Sequence, residues 1–195
     1  RFAFLAPADG TSPLRRHVDG QRSYYRWTIA QDGRAIPLIE RAFDWLEAHW
    51  PAAEPPPALS WGDARIGNVL YDGFRPVAVL DWEMTALAPR EVDLAWMIYL
   101  HRFFQDLATS YGLAGLPDFM RREDVVHSYR TAAGYEPRDL DFFLVYAILR
   151  HAIVMTQTKR RAIHFGEDVA PPDPDEMILH RATLEQVLDG SYRWT

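Results

Sequence analysis

The sequence predicts an α+β fold that is mostly helical, with one short β-hairpin. Its 195 residues are enough for one domain with its own hydrophobic core. Apolar residues recur at helical spacing over most of the chain, whereas residues 59–82 carry the only clear strand character. A composition of 48% hydrophobic and 25% charged residues is ordinary for a globular protein.

The composition excludes several classes of function. Cysteine is absent, so the chain has no disulfide, thiolate metal site or cysteine nucleophile, and we expect a cytoplasmic protein. A net charge of −6 argues against a general nucleic-acid surface. The longest apolar run, Phe142 to Leu149, is too short to span a bilayer, so we expect no membrane partner.

The first 58 residues are predicted to form helices followed by a connector. Leu14 to Ala30 has helical character, and Pro37 is well placed to begin a second, amphipathic helix. The segment from Pro51 to Ala58 holds four prolines, which end this helix and predict a rigid connector.

Two short strands flank a turn signal in the middle of the chain. Val69–Tyr71 and Val77–Leu80 are rich in strand-forming residues, and Asp72-Gly73 lies between them. A two-residue hairpin centred on this turn would put Pro76, which has no N–H, inside the ladder. We therefore expect a four-residue connection, Gly73 to Pro76.

The expected register places two polar side chains opposite each other at the open end of the hairpin. Leu70 then pairs with Val79, and Asn68 lies opposite Asp81. Asp63 precedes Asn68 by five positions, in a glycine-containing loop that can fold over the same end. Carboxylate and amide oxygens without thiolates suit Mg²⁺, and neighbouring carboxylates repel one another without a cation. We predict a magnesium site at this end of the hairpin.

From Glu91 onward the chain is predicted to be helical. Acidic residues open the first of these helices, and glycines and prolines lie between the later ones. We expect Trp82 and Trp96 to pack the hairpin against that first helix. The predicted helices are Glu91–Ala108, Arg121–Gly134, Asp139–Ile163 and Asp175–Leu188.

The order and spacing of the polar residues resemble those of a known family. The motifs are Trp61-Gly62-Asp63 followed by Asn68, Leu80-Asp81-Trp82-Glu83, and the segment Pro89 to Ala95 with its Asp-Leu-Ala ending. Together they resemble the catalytic loop and metal-binding motif of the aminoglycoside/choline phosphotransferase family. They cover Leu59 to Trp96 and are also similar to phosphotransferase domains related to acyl-CoA dehydrogenase fusion proteins.

The resemblance implies the C-terminal lobe of a protein-kinase-like fold, with Mg²⁺, ATP or GTP as phosphate donor, and a small-molecule hydroxyl acceptor. Residues 1–58 would be a helical segment and connector, residues 59–83 the catalytic loop and β-hairpin, and residues 84–195 a helical subdomain. Arg65 would contact a substrate anion or phosphate, or else form a surface ion pair. The implied roles are a catalytic carboxylate for Asp63, metal ligands for Asn68, Asp81 and Glu83, and structural support for Trp61 and Asp93.

The chain departs from the family in two respects. The family usually has histidine where Trp61 stands, although tryptophan also offers one N–H donor. The chain also lacks a glycine-rich phosphate loop and a strand lysine, so we expect that the N-terminal nucleotide-binding lobe is missing and that this chain alone is inactive. The docking face of that lobe would then be an exposed apolar patch, through which the fragment can form a homodimer.

Three functions are compatible with these residues. The first is a kinase that phosphorylates a small hydroxyl compound such as an aminoglycoside or amino alcohol. The second is a catalytically silent kinase-like module that binds a ligand or partner, and the third is a magnesium-dependent phosphohydrolase. Loss of nucleotide binding on Asp81→Ala would separate the kinase from the silent module.

Overall fold

The computed structural model describes residues 3–5 and 9–194 and confirms an α+β, mostly helical fold. Residues 1, 2 and 6–8 of the predicted segment 1–58, and residue 195 of the predicted segment 84–195, lie outside the described residues. The α-helices are α1 (Pro13–Asp32), α2 (Pro37–Ala48), α3 (Glu91–Ser110), α4 (Arg122–Ala133), α5 (Leu140–His164) and α6 (Arg181–Leu188). Short 3₁₀ turns cover Ala3–Leu5, Ile66–Asn68 and Pro174–Met177.

The first five helices agree with the predicted ones, but the prediction of one helix over Asp175–Leu188 is wrong. A 3₁₀ turn ends at Met177, and α6 begins only at Arg181 because Ile178 has extended backbone angles. The side chain of Asp173 accepts hydrogen bonds from the backbone N–H of Asp175 and from Arg181 Nη1. These bonds stabilise a bend where the apolar periodicity alone favoured a continuous helix.

Helix α5 forms the centre of the hydrophobic core and packs against α2 and α3. Most of its residues from Phe142 to Ile153 are buried. By length and composition it is the one helix among the described residues that could cross a membrane, but 78% of its apolar window is buried inside the fold. That burial is typical of the core helix of a globular domain.

A second β-ribbon was not predicted. Strands β1 (Pro57–Ser60) and β4 (Ala86–Pro89) pair antiparallel, with Pro57 opposite Pro89 and Ser60 opposite Ala86. The prolines lie at the end of this ladder, where a missing N–H costs least, so the proline-rich segment ends as a strand rather than as a connector. Residue 61, which follows β1, lies close to the first turn of α3.

The predicted hairpin register is wrong by one position. Strands β2 (Val69–Asp72) and β3 (Arg75–Val79) are joined by a two-residue loop, and Leu70 pairs with Ala78 rather than with Val79. A bulge next to Leu70 absorbs one residue of β3. The ribbon has only two strands, so Pro76 can direct its N–H-less nitrogen to a free edge without losing a ladder bond.

Three histidines that touch the core make the fold sensitive to acid. Burial lowers the pKa of His17 to about 3, with a further contribution from the Arg150 charge. Burial alone lowers the pKa of His151 to about 4. Burial, together with the neighbouring His151, lowers the pKa of His180 to about 3. The rings of His151 and His180 are stacked with centroids 4.5 Å apart, so charge repulsion opposes protonation of both rings at once.

We predict that the free energy of unfolding falls between pH 7 and pH 5. In the unfolded chain these histidines bind protons below a pH of about 6.5, whereas the folded chain keeps them neutral to about 4 or lower, so stability is lost as the pH falls. Urea unfolding should show a loss of at least about 2 kcal/mol between these two pH values. His151→Gln should reduce this loss, and the exposed His127→Gln should leave it unchanged. A stability that is flat between pH 7 and pH 5 would contradict the prediction.

Candidate active site

The carboxylate of Asp93 holds the loop that follows β1. Asp93 lies in the first turn of α3, and its Oδ1 accepts hydrogen bonds from Ser60 Oγ at 2.9 Å and from Gly62 N at 2.8 Å. Its Oδ2 accepts a bond from Trp61 N at 2.7 Å. These three bonds fix the backbone on the N-terminal side of Asp63.

Gly62 occupies a position that no other residue fits. Its φ is +92°, and a Cβ atom added there would lie 2.4 Å from Met84 O and 2.6 Å from Met84 Cβ. Its carbonyl oxygen accepts a hydrogen bond from Arg150 Nη2 at 3.0 Å. The backbone of Gly62 therefore packs directly against Met84, in the segment that follows β3.

Asp63 is held by three side-chain donors. Its Oδ1 accepts from Trp96 Nε1 at 2.7 Å, and its Oδ2 accepts from Asn68 Nδ2 at 2.7 Å and from Arg65 Nε at 3.0 Å. Only 17% of its side chain is exposed. Arg65 thus forms an ion pair with Asp63, one of the two roles considered for it.

The ionisation of Asp63 follows from these contacts. Burial on its own would raise the pKa of Asp63, but the hydrogen bonds from Trp96, Arg65 and Asn68 outweigh it and the pKa is lowered. The carboxylate is therefore charged at neutral pH. Such a group orients a hydroxyl by accepting its hydrogen bond and is a weak general base.

Asn68 is buried, and its Oδ1 accepts no hydrogen bond from any residue of the described ranges 3–5 and 9–194. Its Nδ2 donates to Asp63 Oδ2 and to Asp63 O, the latter at 3.2 Å, so both amide protons face the loop. Its backbone carbonyl accepts a bond from Leu80 N at 2.8 Å. Asn68 therefore lies beside residue 80 and not opposite Asp81, and its Oδ1 remains available as a ligand.

Asp81 has a backbone conformation that is unusual for a residue with a side chain. Its φ is +60°, and Trp61 Nε1 donates to Leu80 O at 2.8 Å and to Asp81 O at 3.0 Å. Strained backbone of this kind is concentrated at functional sites, where the surroundings must hold it in place. The Trp61 indole contacts this backbone through its two hydrogen bonds.

The carboxylates of Asp81 and Glu83 are exposed and make no hydrogen bond or ion pair within residues 3–5 and 9–194. Over the same residues no group of three or more His, Cys, Asp or Glu side chains could hold a metal ion. The available donors are one amide oxygen and separate carboxylates. This set does not form a protein-only cage, but it suits Mg²⁺ that also binds waters and phosphate oxygens.

Two tryptophans behave differently from the prediction. Trp82 is 47% exposed, and its Nε1 donates to Val79 O, so it caps the hairpin and does not pack it against α3. Trp96 is buried on α3, but it contacts the loop through its bond to Asp63 rather than the hairpin. The packing role predicted for Trp82 is wrong because the hairpin projects into solvent.

Sequence reasoning missed Trp96 and Arg150 as parts of the site. A signal for Trp96 was present, since it lies three positions after Asp93 and so on the same face of α3. The signal for Arg150 was a charged residue immediately after the apolar run of α5. Periodicity could show that these positions face inward, but not that they face the loop.

Two adjoining cavities lie beside the loop. The larger has a volume of about 740 Å³ and is lined by Trp61, Ala64, Leu94, Val125, Asp124 and Tyr129, among others. The smaller, of about 370 Å³, includes Arg65, Gly67 and Phe104 in its lining, and both cavities share Ile66, Met97 and Met120. Their walls are mainly apolar, with few charged groups at the rim.

A helical lobe with a braced Asp63–Asn68 loop and a following Asp81 segment defines the class of kinase-like phosphotransferases. The comparison with known families agrees with this class. Residues 3–124 match the model of the phosphotransferase enzyme family (APH), and the chain belongs to that family. The resemblance predicted from the sequence is thereby confirmed.

The chain is also similar to curated relatives and, in its fold, to a solved structure. The chain is 26% identical over 163 residues to acyl-CoA dehydrogenase family member 10 of Mus musculus and 22% identical over 159 residues to family member 11 of that species. These matches use 77% and 78% of this chain but only 14% and 20% of the relatives. The fold matches a crystal structure from Ralstonia eutropha, described as a candidate aminoglycoside phosphotransferase, with a TM-score of 0.66 and 20% identity. That match covers 94% of this chain and 57% of the other.

We predict that Gly62→Ala destabilises the fold by about 2–4 kcal/mol, because overpacking against Met84 adds to the cost of a positive φ. Gly73→Ala is the matched control: Gly73 also has a positive φ, +61°, but an added Cβ would meet nothing within 4 Å. The control should lose only about 1 kcal/mol. Urea unfolding of both variants measures the difference. Equal losses in the two variants would show that the close approach to Met84 is not rigid.

Proposed function

We propose that this chain is the C-terminal lobe of a kinase that transfers the γ-phosphate of ATP or GTP to a hydroxyl group of a small molecule. The observation that carries the proposal is the bonding of Asp63: a braced loop holds its charged carboxylate beside Asn68, next to the Asp81 segment. Phosphoryl transfer needs positioning and charge neutralisation more than covalent chemistry. The hydrogen-bonded loop would provide the positioning, and the Asn68 and Asp81 side chains with a bound metal ion would provide the charge neutralisation.

Asn68 and Asp81 are the proposed magnesium ligands, and Glu83 is a further contact made through water. The free Oδ1 of Asn68 and the unbonded carboxylate of Asp81 support this assignment. When bound, the metal ion would neutralise charge on the nucleotide phosphates. The chain's own contribution is to fix the amide by its bonds to Asp63 and the Asp81 backbone by its bond to Trp61.

Asp63 is the proposed partner of the acceptor hydroxyl. Its carboxylate would accept the hydroxyl hydrogen bond and aim the oxygen at the γ-phosphorus. The new oxygen–phosphorus bond forms as the bond to the β-phosphate oxygen breaks, and the hydroxyl proton leaves late, through the carboxylate. The lowered pKa of Asp63 suits late proton transfer better than early proton transfer, because it makes the carboxylate a weak base.

The acceptor is proposed to be a small amino alcohol in preference to a polycationic aminoglycoside. The larger cavity has mainly apolar walls, and its two carboxylates are already engaged. Asp93 is bonded to the loop, and Asp124 forms an ion pair with Arg121 at 2.8 Å. A substrate with several positive charges would find few free anionic partners there.

The nucleotide site requires a second lobe, which we propose is supplied by further sequence in the complete protein. The hairpin and the segment after it expose apolar side chains that such a lobe would cover, and the same surface could pair two copies of the fragment. The exposed residues are Leu70, Tyr71, Phe74, Val77, Val79, Leu80 and Trp82. We expect no phosphoryl transfer from this chain by itself.

A catalytically silent module is less well supported. The tryptophan in place of histidine and the missing N-terminal lobe both favour it, but the Trp61 indole N–H reaches the carbonyls of Leu80 and Asp81. The support of the metal-binding segment is therefore retained. A silent module would also have no need to keep Asp63 charged and Asn68 oriented.

The proposal is tested in the full-length protein that contains this chain, with nucleotide consumption followed over a panel of hydroxyl compounds. We predict that Asp63→Asn and Asp81→Asn each lower kcat at least about 100-fold, since each removes a preorganised charge at the reacting phosphate. Asp81→Asn should also weaken Mg²⁺-dependent nucleotide binding. Asp72→Asn, which removes an exposed hairpin carboxylate, is the control and should have no effect.

Two results would contradict the assignment. Unchanged Mg²⁺-nucleotide binding in Asp81→Asn would remove the metal role from this residue. Robust turnover by residues 1–195 alone would show that the second lobe is unnecessary.

Trp61 gives a separate prediction in the same full-length protein. Trp61→Phe keeps an aromatic ring but removes the indole N–H that donates to the carbonyls of Leu80 and Asp81, so kcat should fall about tenfold to 100-fold. Trp61→His restores a ring N–H and should recover most of the activity. If phenylalanine works as well as tryptophan in steady-state assays, the indole hydrogen bonds do not support the site.

A further inference from the structure

A positive charge lies fully buried beneath the loop. Arg150, in the middle of α5, is only 1% exposed, and it forms no ion pair with any carboxylate of the described residues 3–5 and 9–194. Removing a guanidinium from water without a paired anion is costly. A hydrophobic side chain of the same length would serve packing as well or better, so the position calls for another explanation.

The contacts of Arg150 are few and point in one direction. Its Nη2 donates to Gly62 O at 3.0 Å, while Nε and Nη1 have no hydrogen-bond partner among the residues that the structure describes. Its guanidinium carbon lies 4.5 Å from the centroid of the Trp96 ring and 5.9 Å from that of Tyr146. The cation therefore faces the aromatic ring of Trp96 and the backbone of Gly62.

Trp96 carries this contact to the catalytic carboxylate. It is 6% exposed, and its Nε1 donates to Asp63 Oδ1 at 2.7 Å. Arg150 thus holds the residue before Asp63 directly and the side chain of Asp63 through one indole ring. Both routes begin on α5, the central helix of the core.

We infer that Arg150 is a positioning residue that orients Asp63 through Trp96 and through the Gly62 carbonyl. The inference rests on the proposed function, in which Asp63 aligns the acceptor hydroxyl. The alternative is that Arg150 only fills space in the core. If Arg150 only fills space, an apolar replacement should leave the stability unchanged or raise it and should not affect the site. If Arg150 orients Asp63, the same replacement should misplace the carboxylate and lower the reaction rate.

The first measurement follows the indole N–H of Trp96 by ¹H–¹⁵N NMR in the protein itself. The chain has seven tryptophans, and Trp96→Phe identifies the signal of Trp96. Asp63→Asn should displace that signal, because the donor then bonds to an uncharged oxygen. We predict that Arg150→Met displaces it as well, while circular dichroism and the unfolding midpoint remain near those of the wild type.

The matched control is Arg160→Met. Arg160 is a second buried arginine on α5, but it bonds to Asp32 and Thr28 and not to the loop. Its replacement should leave the Trp96 signal in place. Arg150→Lys keeps a charge but cannot both cover the ring and reach Gly62 O, so the signal should again be displaced.

The second measurement is kinetic and uses the full-length protein. Arg150→Met should lower kcat about tenfold to 100-fold with a nucleotide KM within about threefold, and Arg150→Lys should recover part of the rate. If Arg150→Met raises only the nucleotide KM and leaves kcat unchanged, Arg150 does not orient Asp63 and the inference is overturned.

The NMR result decides the case even if the wild-type protein transfers no phosphate. A Trp96 signal that is unmoved in Arg150→Met, or in Arg150→Lys should the methionine variant not fold, overturns the positioning role. A displaced signal with an inactive wild type would support the positioning role and count against the proposed function alone.

Discussion

The carboxylate of Asp93 is the contact on which the rest of the site depends. Its two oxygens accept three hydrogen bonds from consecutive residues at the end of β1, so it defines the path of the loop before Asp63. That path brings Gly62 within backbone contact of Met84, where only glycine fits. Because Asp93 lies in the first turn of α3, its hydrogen bonds attach the loop to a helix of the core.

The same loop orders the second motif through one side chain. Trp61 donates its backbone N–H to Asp93 and its indole N–H to the carbonyls of Leu80 and Asp81. A residue that is anchored on one side thus supports the positive φ of Asp81 on the other. The exchange of histidine for tryptophan is tolerable in physical terms because the position needs one N–H donor of suitable reach rather than a titratable ring.

The sequence predicted the helical class and the grouping of Asp63 and Asn68, because short spacings across a loop leave few arrangements. It could not predict the hairpin register, which depends on a bulge near Leu70 that tolerates Pro76 at a free edge. It also could not predict the contacts of Trp96 and Arg150. These residues are separated from Asp63 by 33 and 87 positions along the chain, so only the packing of α3 and α5 brings them together.

The two halves of the site differ in a way that suits their proposed tasks. Asp63 and Asn68 are largely buried, and their polar atoms are bonded to each other and to α3, so the hydroxyl-orienting half is formed before any ligand arrives. Asp81 and Glu83 lie on an exposed segment, and their carboxylates bond to no residue in the part of the chain that the structure describes. A cation bridged by nucleotide phosphates would supply the charge that these groups lack. Nucleotide binding would then complete the metal-binding half of the site, while the acceptor half needs no reorganisation.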